Sequence, residues 1–169
     1  MRSTRAHNTI MVDGEEQSEI WGAFRVARRA KPIFAQLDEV HAKRINFSGA
    51  HDGYRRLHGD VIHERRVVYD ASEGWIVEDR IKGRGKHSVQ SFIHIHPDFR
   101  VTIQGPEIAV LNRKCNKQAA RIMVADQHNV SLIKGWYCSE FGSKLENEVI
   151  VLSALKELPL EMTYRILRN

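Results

Sequence analysis

The chain has 169 residues, 42% of them hydrophobic and 28% charged, and no window approaches ~18 consecutive apolar residues, so collagen-like, disordered and membrane-spanning classes are excluded. A chain of this size buries roughly 70% of the surface its unfolded form exposes, which supports one domain over the whole chain without disulfides or a structural metal. Its 26 basic and 21 acidic residues give a formal charge of +5, a sign that suits an anionic partner such as an acidic polysaccharide or a nucleic acid.

In chain order, the opening residues Met1 to His7 lack the apolar run of a signal peptide, which leaves the compartment open. Asp13-Gly14, Ser48-Gly49 and Asp52-Gly53 read as turns. Residues 34–42, with Phe34, Leu37 and His41, fit a strand or one short helix, and we read a strand. Trp75, Val77 and Ile81 then alternate with Ile76, Glu78 and Arg80, the pattern of a half-buried strand whose side chains point to opposite faces in turn. Gly83-Arg84-Gly85 separates that strand from Ser88 to Pro97, where Phe92, His94 and His96 share one face and Val89, Ile93 and Ile95 the other. Phe99, Val101 and Ile103 alternate with Arg100, Thr102 and Gln104 before a turn at Gln104-Gly105-Pro106. After Gly142-Ser143, Val149 to Leu155 reads as a continuously apolar strand, and Met162, Tyr164 and Ile166 mark a last strand paired within the core sheet. About eleven to thirteen short strands result, and an all-β, mainly antiparallel two-sheet β-sandwich is the architecture they predict.

Charge is spread evenly: residues 1–60, 61–113 and 114–169 hold 10, 8 and 8 basic against 8, 7 and 6 acidic residues. With no polybasic tail, no nucleic-acid partner is expected. The run Arg55-Arg56-Leu57-His58 with Glu64-Arg65-Arg66 reads as a solvated face or as cross-strand ion pairs. Cys115 and Cys138 match neither a zinc knuckle nor a redox pair and read as two unpaired thiols, with one disulfide as the alternative.

The string Arg2-Ser3-Thr4-Arg5-Ala6-His7-Asn8-Thr9, with Val12-Asp13-Gly14 and Gln17-Ser18-Glu19 after it, is too polar to be explained by packing. It resembles the heparinase II/III-like family of polysaccharide lyases, in the β-sandwich that follows their helical toroid. The likeness continues through Trp21-Gly22-Ala23-Phe24, His51-Asp52-Gly53-Tyr54, His63-Glu64-Arg65-Arg66 and Gly74-Trp75-Ile76-Val77-Glu78-Asp79. The resemblance implies β-elimination on a uronate-containing polysaccharide such as a glycosaminoglycan or alginate. A base removes the proton α to a neutralised carboxylate, and an acid assists departure of the glycosidic oxygen. It also implies that the catalytic groups and an H-x-H-x-D-like metal element come from the toroid and from segments preceding this string, so the chain alone would lack a complete site.

Carried over residue by residue, the resemblance makes His7 one ligand of a metal site, usually zinc, at the cleft edge. Zinc generally takes at least three protein ligands, so His7 alone predicts a partial site. Arg2 and Arg5 would face an anionic sugar or be solvated terminal residues. Asn8 and Gln17 would line the cleft edge or satisfy backbone groups in turns. His51, Tyr54 and His63 would line a sugar cleft, with Tyr54 stacking on a ring, or Tyr54 would be structural. His94 and His96, an H-x-H pair without a visible third ligand, read first as two histidines on a solvent-facing or groove-facing strand, with metal binding as the lesser alternative. The expected partner is an acidic polysaccharide, with self-association through an exposed sheet or toroid-docking surface as a further expectation. The alternative to a lyase part is a non-catalytic module that binds acidic glycans.

Overall fold

Alternation in the sequence becomes strands in a computed structural model that describes residues 2–22, 25–41, 44–125 and 128–168. Ala23, Phe24 and Ala42, which fall within stretches read above, lie outside the described residues. The strands are β1 (Ile10–Val12), β2 (Pro32–His41), β3 (Arg44–His51), β4 (Ile62–Asp70), β5 (Gly74–Lys82), β6 (Lys86–His94), β7 (Phe99–Gln104), β8 (Glu107–Asn112), β9 (Gln118–Val124), β10 (Asn129–Tyr137), β11 (Leu145–Glu157) and β12 (Leu160–Arg168). They form two sheets, β1-β6-β11-β10 and β2-β3-β4-β5-β12-β9-β8-β7. Every neighbouring pair is antiparallel, so the chain is an all-β sandwich as its alternation predicts. No helix among the described residues is long and apolar enough to cross a membrane.

The sheets face each other through the apolar set of each strand. Val77 and Ile81 of β5 and Met162 and Tyr164 of β12 pack in one core with Val89 and Ile93 of β6 and Ile150 and Leu152 of β11. Each such side chain contributes on the order of 1.5–3 kcal/mol on leaving water. β11 is apolar on both faces because Val149 and Val151 pack outward, with Met11, Phe92 and Ile133, in a second small cluster. That two-sided burial accounts for the unbroken apolar run seen in the sequence.

The eight-stranded sheet is wider than its partner. One cross-strand row runs Val124, Tyr164, Val77, Val67, Phe47, Leu37. It begins with buried side chains and ends with Leu37 at 69% exposure. Ile45 and Trp75, two residues along on the same face, are exposed as well. The core face of β2 and β3 therefore overhangs the smaller sheet.

Two expectations are settled here. Residues of the 34–42 segment lie in β2, a strand and not a helix. The Ser48-Gly49 turn is a correction: Gly49 lies inside β3, paired with Ala35 and Arg65. A Cβ there would stand 3.3 Å from the Phe47 ring, so glycine relieves crowding within the strand instead of reversing the chain. The chain turns at Asp52-Gly53, just beyond β3.

Candidate functional site

A single 3₁₀ turn, Thr4–Ala6, precedes β1 and carries the His7-Asn8-Thr9 string. Thr4 is buried and anchors the turn: its N–H donates to the Glu16 carboxylate, and its Oγ1 accepts the Gln17 N–H at 2.9 Å. Beyond this anchor, Asn8 bonds to both sheets. Its Oδ1 accepts the His94 N–H at 2.7 Å, at the end of β6, and its carbonyl accepts from the Arg65 guanidinium on β4. The Arg5 carbonyl holds the His94 ring through Nε2 at 3.0 Å. A carbonyl only accepts, so His94 carries its proton on Nε2. Burial lowers the His94 pKa, with a smaller contribution from His7.

His7 itself is exposed and stands between two clefts. One, of about 510 Å³, is lined by His7, Asn8, His94, His96, Tyr137 and Asn147 among others. The His96 ring meets the Tyr137 ring edge-on, with centroids 4.7 Å apart. Asn147 is buried, and its amide N–H donates to the Ile95 carbonyl at 3.0 Å. Gly135, opposite Asn147 on β10, leaves room for it, since a Cβ there would lie 2.9 Å from Asn147 Oδ1 and 2.5 Å from Val149. The other cleft, of about 480 Å³, is lined by Arg2, His7, Gln17, Ser18 and Arg29 among others. Arg5 lines a smaller hollow with Lys134 and Ser3. The structure thus places Asn8 with His94 and His96 in one cleft and Arg2 with Gln17 in the other, with His7 lining both.

No group of three or more His, Cys, Asp or Glu side chains placed to hold a metal ion occurs among the described residues. His7 therefore has no set of co-ligands there, and a zinc ion with three protein ligands is not completed by these residues. His94 and His96 are each engaged separately, His94 on Arg5 and His96 through Nδ1 by the Asp98 N–H at 3.2 Å. Both thiols are free and exposed.

Tyr54 is the clearest correction. It is fully buried, and its hydroxyl donates to the Ile10 carbonyl at 2.7 Å, so the ring fills the core and cannot stack on a sugar. Burial pushes its phenol pKa up. The H-D-G-Y turn is packed this closely because Gly53 sits against the Gln17 carbonyl, 2.5 Å from where a Cβ would be. Arg56 reinforces the contact by donating to the Gly53 and Glu16 carbonyls. Its charge is mostly buried, not solvated, whereas Arg66 and Glu78 form the cross-strand pair expected of this run.

His51 and His63 also turn inward. His51 Nδ1 accepts the Gly53 N–H at 3.2 Å, so its Nε2 carries the proton and donates to His63 Nδ1 at 3.1 Å. His63 Nε2 in turn donates to Asp79 Oδ1 at 2.6 Å. Arg65 completes the chain with Nε on Oδ1 at 2.6 Å and Nη2 on Oδ2 at 2.7 Å. Asp79 is 1% exposed. Burial alone would raise its pKa, but hydrogen bonds and charge from His63 and Arg65 outweigh it and hold the carboxyl low. His51 is lowered to about 4 by burial, then by His63. Both ends of the chain are closed, by the Gly53 N–H and the Asn8 carbonyl. Both nitrogens of each ring are thereby engaged within the protein, an arrangement that holds these groups in place.

A family model described as heparinase II/III-like, C-terminal, matches residues 1–163. No curated protein matches the sequence. Among solved structures, the heparan sulfate lyase HepC from Pedobacter heparinus is similar at a TM-score of 0.76 and 15% identity, over 99% of this chain and 25% of that one. The heparinase III BT4657 gene product gives 0.70 and 12%, over 99% and 25%. Another heparinase III gives 0.68 and 13%, over 99% and 24%. At these identities the likeness is one of fold, and the chain spans about a quarter of the length of the structures it resembles.

Proposed function

Because the chain belongs to the heparinase II/III-like family, as its C-terminal part, we propose that it forms one wall of a polysaccharide-lyase cleft and supplies the edge of the site that β-eliminates an acidic, uronate-containing polysaccharide. The observation that carries this reading is His7, exposed between two clefts on a segment bonded to both sheets. Arg2 and Arg29 on one side are suited to carboxylate or sulfate groups, and Arg5 with Lys134 adds charge nearby. Heparan sulfate is the glycan named for HepC, one of the similar solved structures.

In this reading the chain acts only with groups from outside the described residues. His7 contributes one ligand to a metal whose remaining ligands lie elsewhere, and the proton-transfer groups also come from elsewhere. Self-association through the overhanging face of β2 and β3 belongs to the same proposal. The test is direct. Heparan sulfate oligosaccharides should bind the chain saturably, His7→Ala should weaken that binding, and no ultraviolet absorbance of unsaturated uronate should develop. Turnover by the chain alone would refute the claim that its site is incomplete. Binding that ignores His7 would favour a glycan-binding module working through a different surface.

A further inference from the structure

We propose that Arg65 and Asp79 are positioning residues for His7: the buried carboxylate orients the guanidinium, and the guanidinium fixes the backbone of the residue that follows His7. The inference rests on the reading of His7 as a cleft-edge group, and it names what sets its geometry.

Asp79 and Arg65 face each other in register on β5 and β4. Asp79 is already satisfied by three contacts, from His63 Nε2, Arg65 Nε and Arg65 Nη2. The remaining guanidinium nitrogen, Nη1, is not needed to neutralise the carboxylate. It reaches out of the sheet to the Asn8 carbonyl, 57 residues away in sequence. The planar fork makes this a lever: with Nε and Nη2 fixed on one carboxylate, the direction of Nη1 has no freedom left. A buried ion pair is by itself weak evidence of stabilisation, because apolar residues of similar volume often replace one without loss. A role in holding geometry accounts for the third contact, which a purely stabilising pair does not require. On the opposite side, Asn8 Oδ1 is held by the His94 N–H, so the residue after His7 is held from both sheets.

The experiment uses the chain of 169 residues with nuclear magnetic resonance. In the wild type, Arg65 should give separate, slowly exchanging Nη1 and Nη2 signals; averaged signals would overturn the proposal without any substitution. Arg65→Lys keeps a charge for Asp79 but lacks the second and third nitrogens. In this variant the His7 Cε1–H resonance should move and exchange of the His94 amide should rise about tenfold, with β10 and β11 amides unchanged. A folded Arg65→Lys variant with His7 and His94 unmoved would overturn it. Titration with heparan sulfate oligosaccharides supplies the functional readout. Arg65→Lys should weaken binding about tenfold, and the double variant His7→Ala with Arg65→Lys should bind no more weakly than His7→Ala alone. Additive losses would mean that Arg65 does not act through His7. If His7→Ala leaves binding intact while Arg65→Lys still moves the His7 resonance, the positioning role stands and the cleft reading falls.

Discussion

The Tyr54 hydroxyl donates to the Ile10 carbonyl at 2.7 Å, joining the H-D-G-Y turn to β1, which lies at the edge of its sheet beside β6. Tyr54→Phe removes the donor, keeps the ring, and leaves a buried carbonyl without this partner, a change that costs about 1–3 kcal/mol. Urea unfolding should show that loss, with heparan sulfate binding by the folded variant unchanged. Weakened binding at unaltered stability would return Tyr54 to the cleft.

His87 is buried between two acceptors, Asp13 Oδ2 at 2.7 Å from Nδ1 and the Arg84 carbonyl at 3.1 Å from Nε2. Both ring nitrogens must carry protons to satisfy them, so the ring is an imidazolium. Burial opposes that charge, but Asp13 and the Arg84 carbonyl outweigh it and raise the pKa above 6.5. The stabilisation is therefore fully present below about pH 6.5 and is lost as pH rises through the folded-state value. Asp13→Asn keeps an acceptor for the Ser88 N–H and tolerates the positive φ of 52°. The stability gap between wild type and Asp13→Asn should narrow as pH rises above 6.5; a gap that widens would show the ring to be neutral.

His51 works in the opposite direction. Its pKa is lowered from 6.5 to about 4, first by burial and then by the neighbouring His63. The unfolded chain takes up the second ring proton first, so stability is complete above about pH 6.5 and declines as pH falls towards 4, by at most about 3 kcal/mol. His51→Gln should flatten this limb of the stability curve between those values. An unchanged limb would place the acid sensitivity on another group.

The sandwich was legible because alternation reports which face of a strand is buried, and Val77, Val101, Ile93 and Met162 all lie where it predicts. The H-N-T string was legible through its resemblance to a family. Its supports were not. Arg65 stands in a run that looks solvated, and its partner is 14 residues away on the next strand. One signal was available: Asp79 occupies an inward position between Val77 and Ile81, where a carboxylate requires a buried partner. His94 and His96 were recognisable as an H-x-H pair, but nothing local indicates that β6 ends beside residues 5–8. Gly49 misled because a glycine after a serine favours a turn, whereas the crowding it relieves comes from Phe47 within the same strand.

Gly135 is a mid-strand glycine with a steric reason. A Cβ would lie 2.5 Å from Val149 Cγ2 and 2.9 Å from Asn147 Oδ1, and Asn147 lines the cleft that His94 also lines. Gly135→Ala should destabilise by about 1–3 kcal/mol through overpacking and perturb the Asn147 side-chain resonances. A neutral Ala variant would show that β10 and β11 separate easily at this point.

The larger sheet extends past the smaller one at β2 and β3. Leu37 continues the row of Val77, Val67 and Phe47 past the edge of the smaller sheet, so its apolar surface has no layer above it among the described residues. Apolar surface arranged in a row lowers its free energy by meeting another such row, and a strand at the edge of its sheet adds unpaired backbone groups to the same region. β2 is that edge strand. Sedimentation at rising concentration should therefore show the wild type associating. Leu37→Glu should remain monomeric with its stability changed by no more than about 0.5 kcal/mol, because an exposed position has little packing to lose. A wild type that stays strictly monomeric at high concentration rules out self-association through this face.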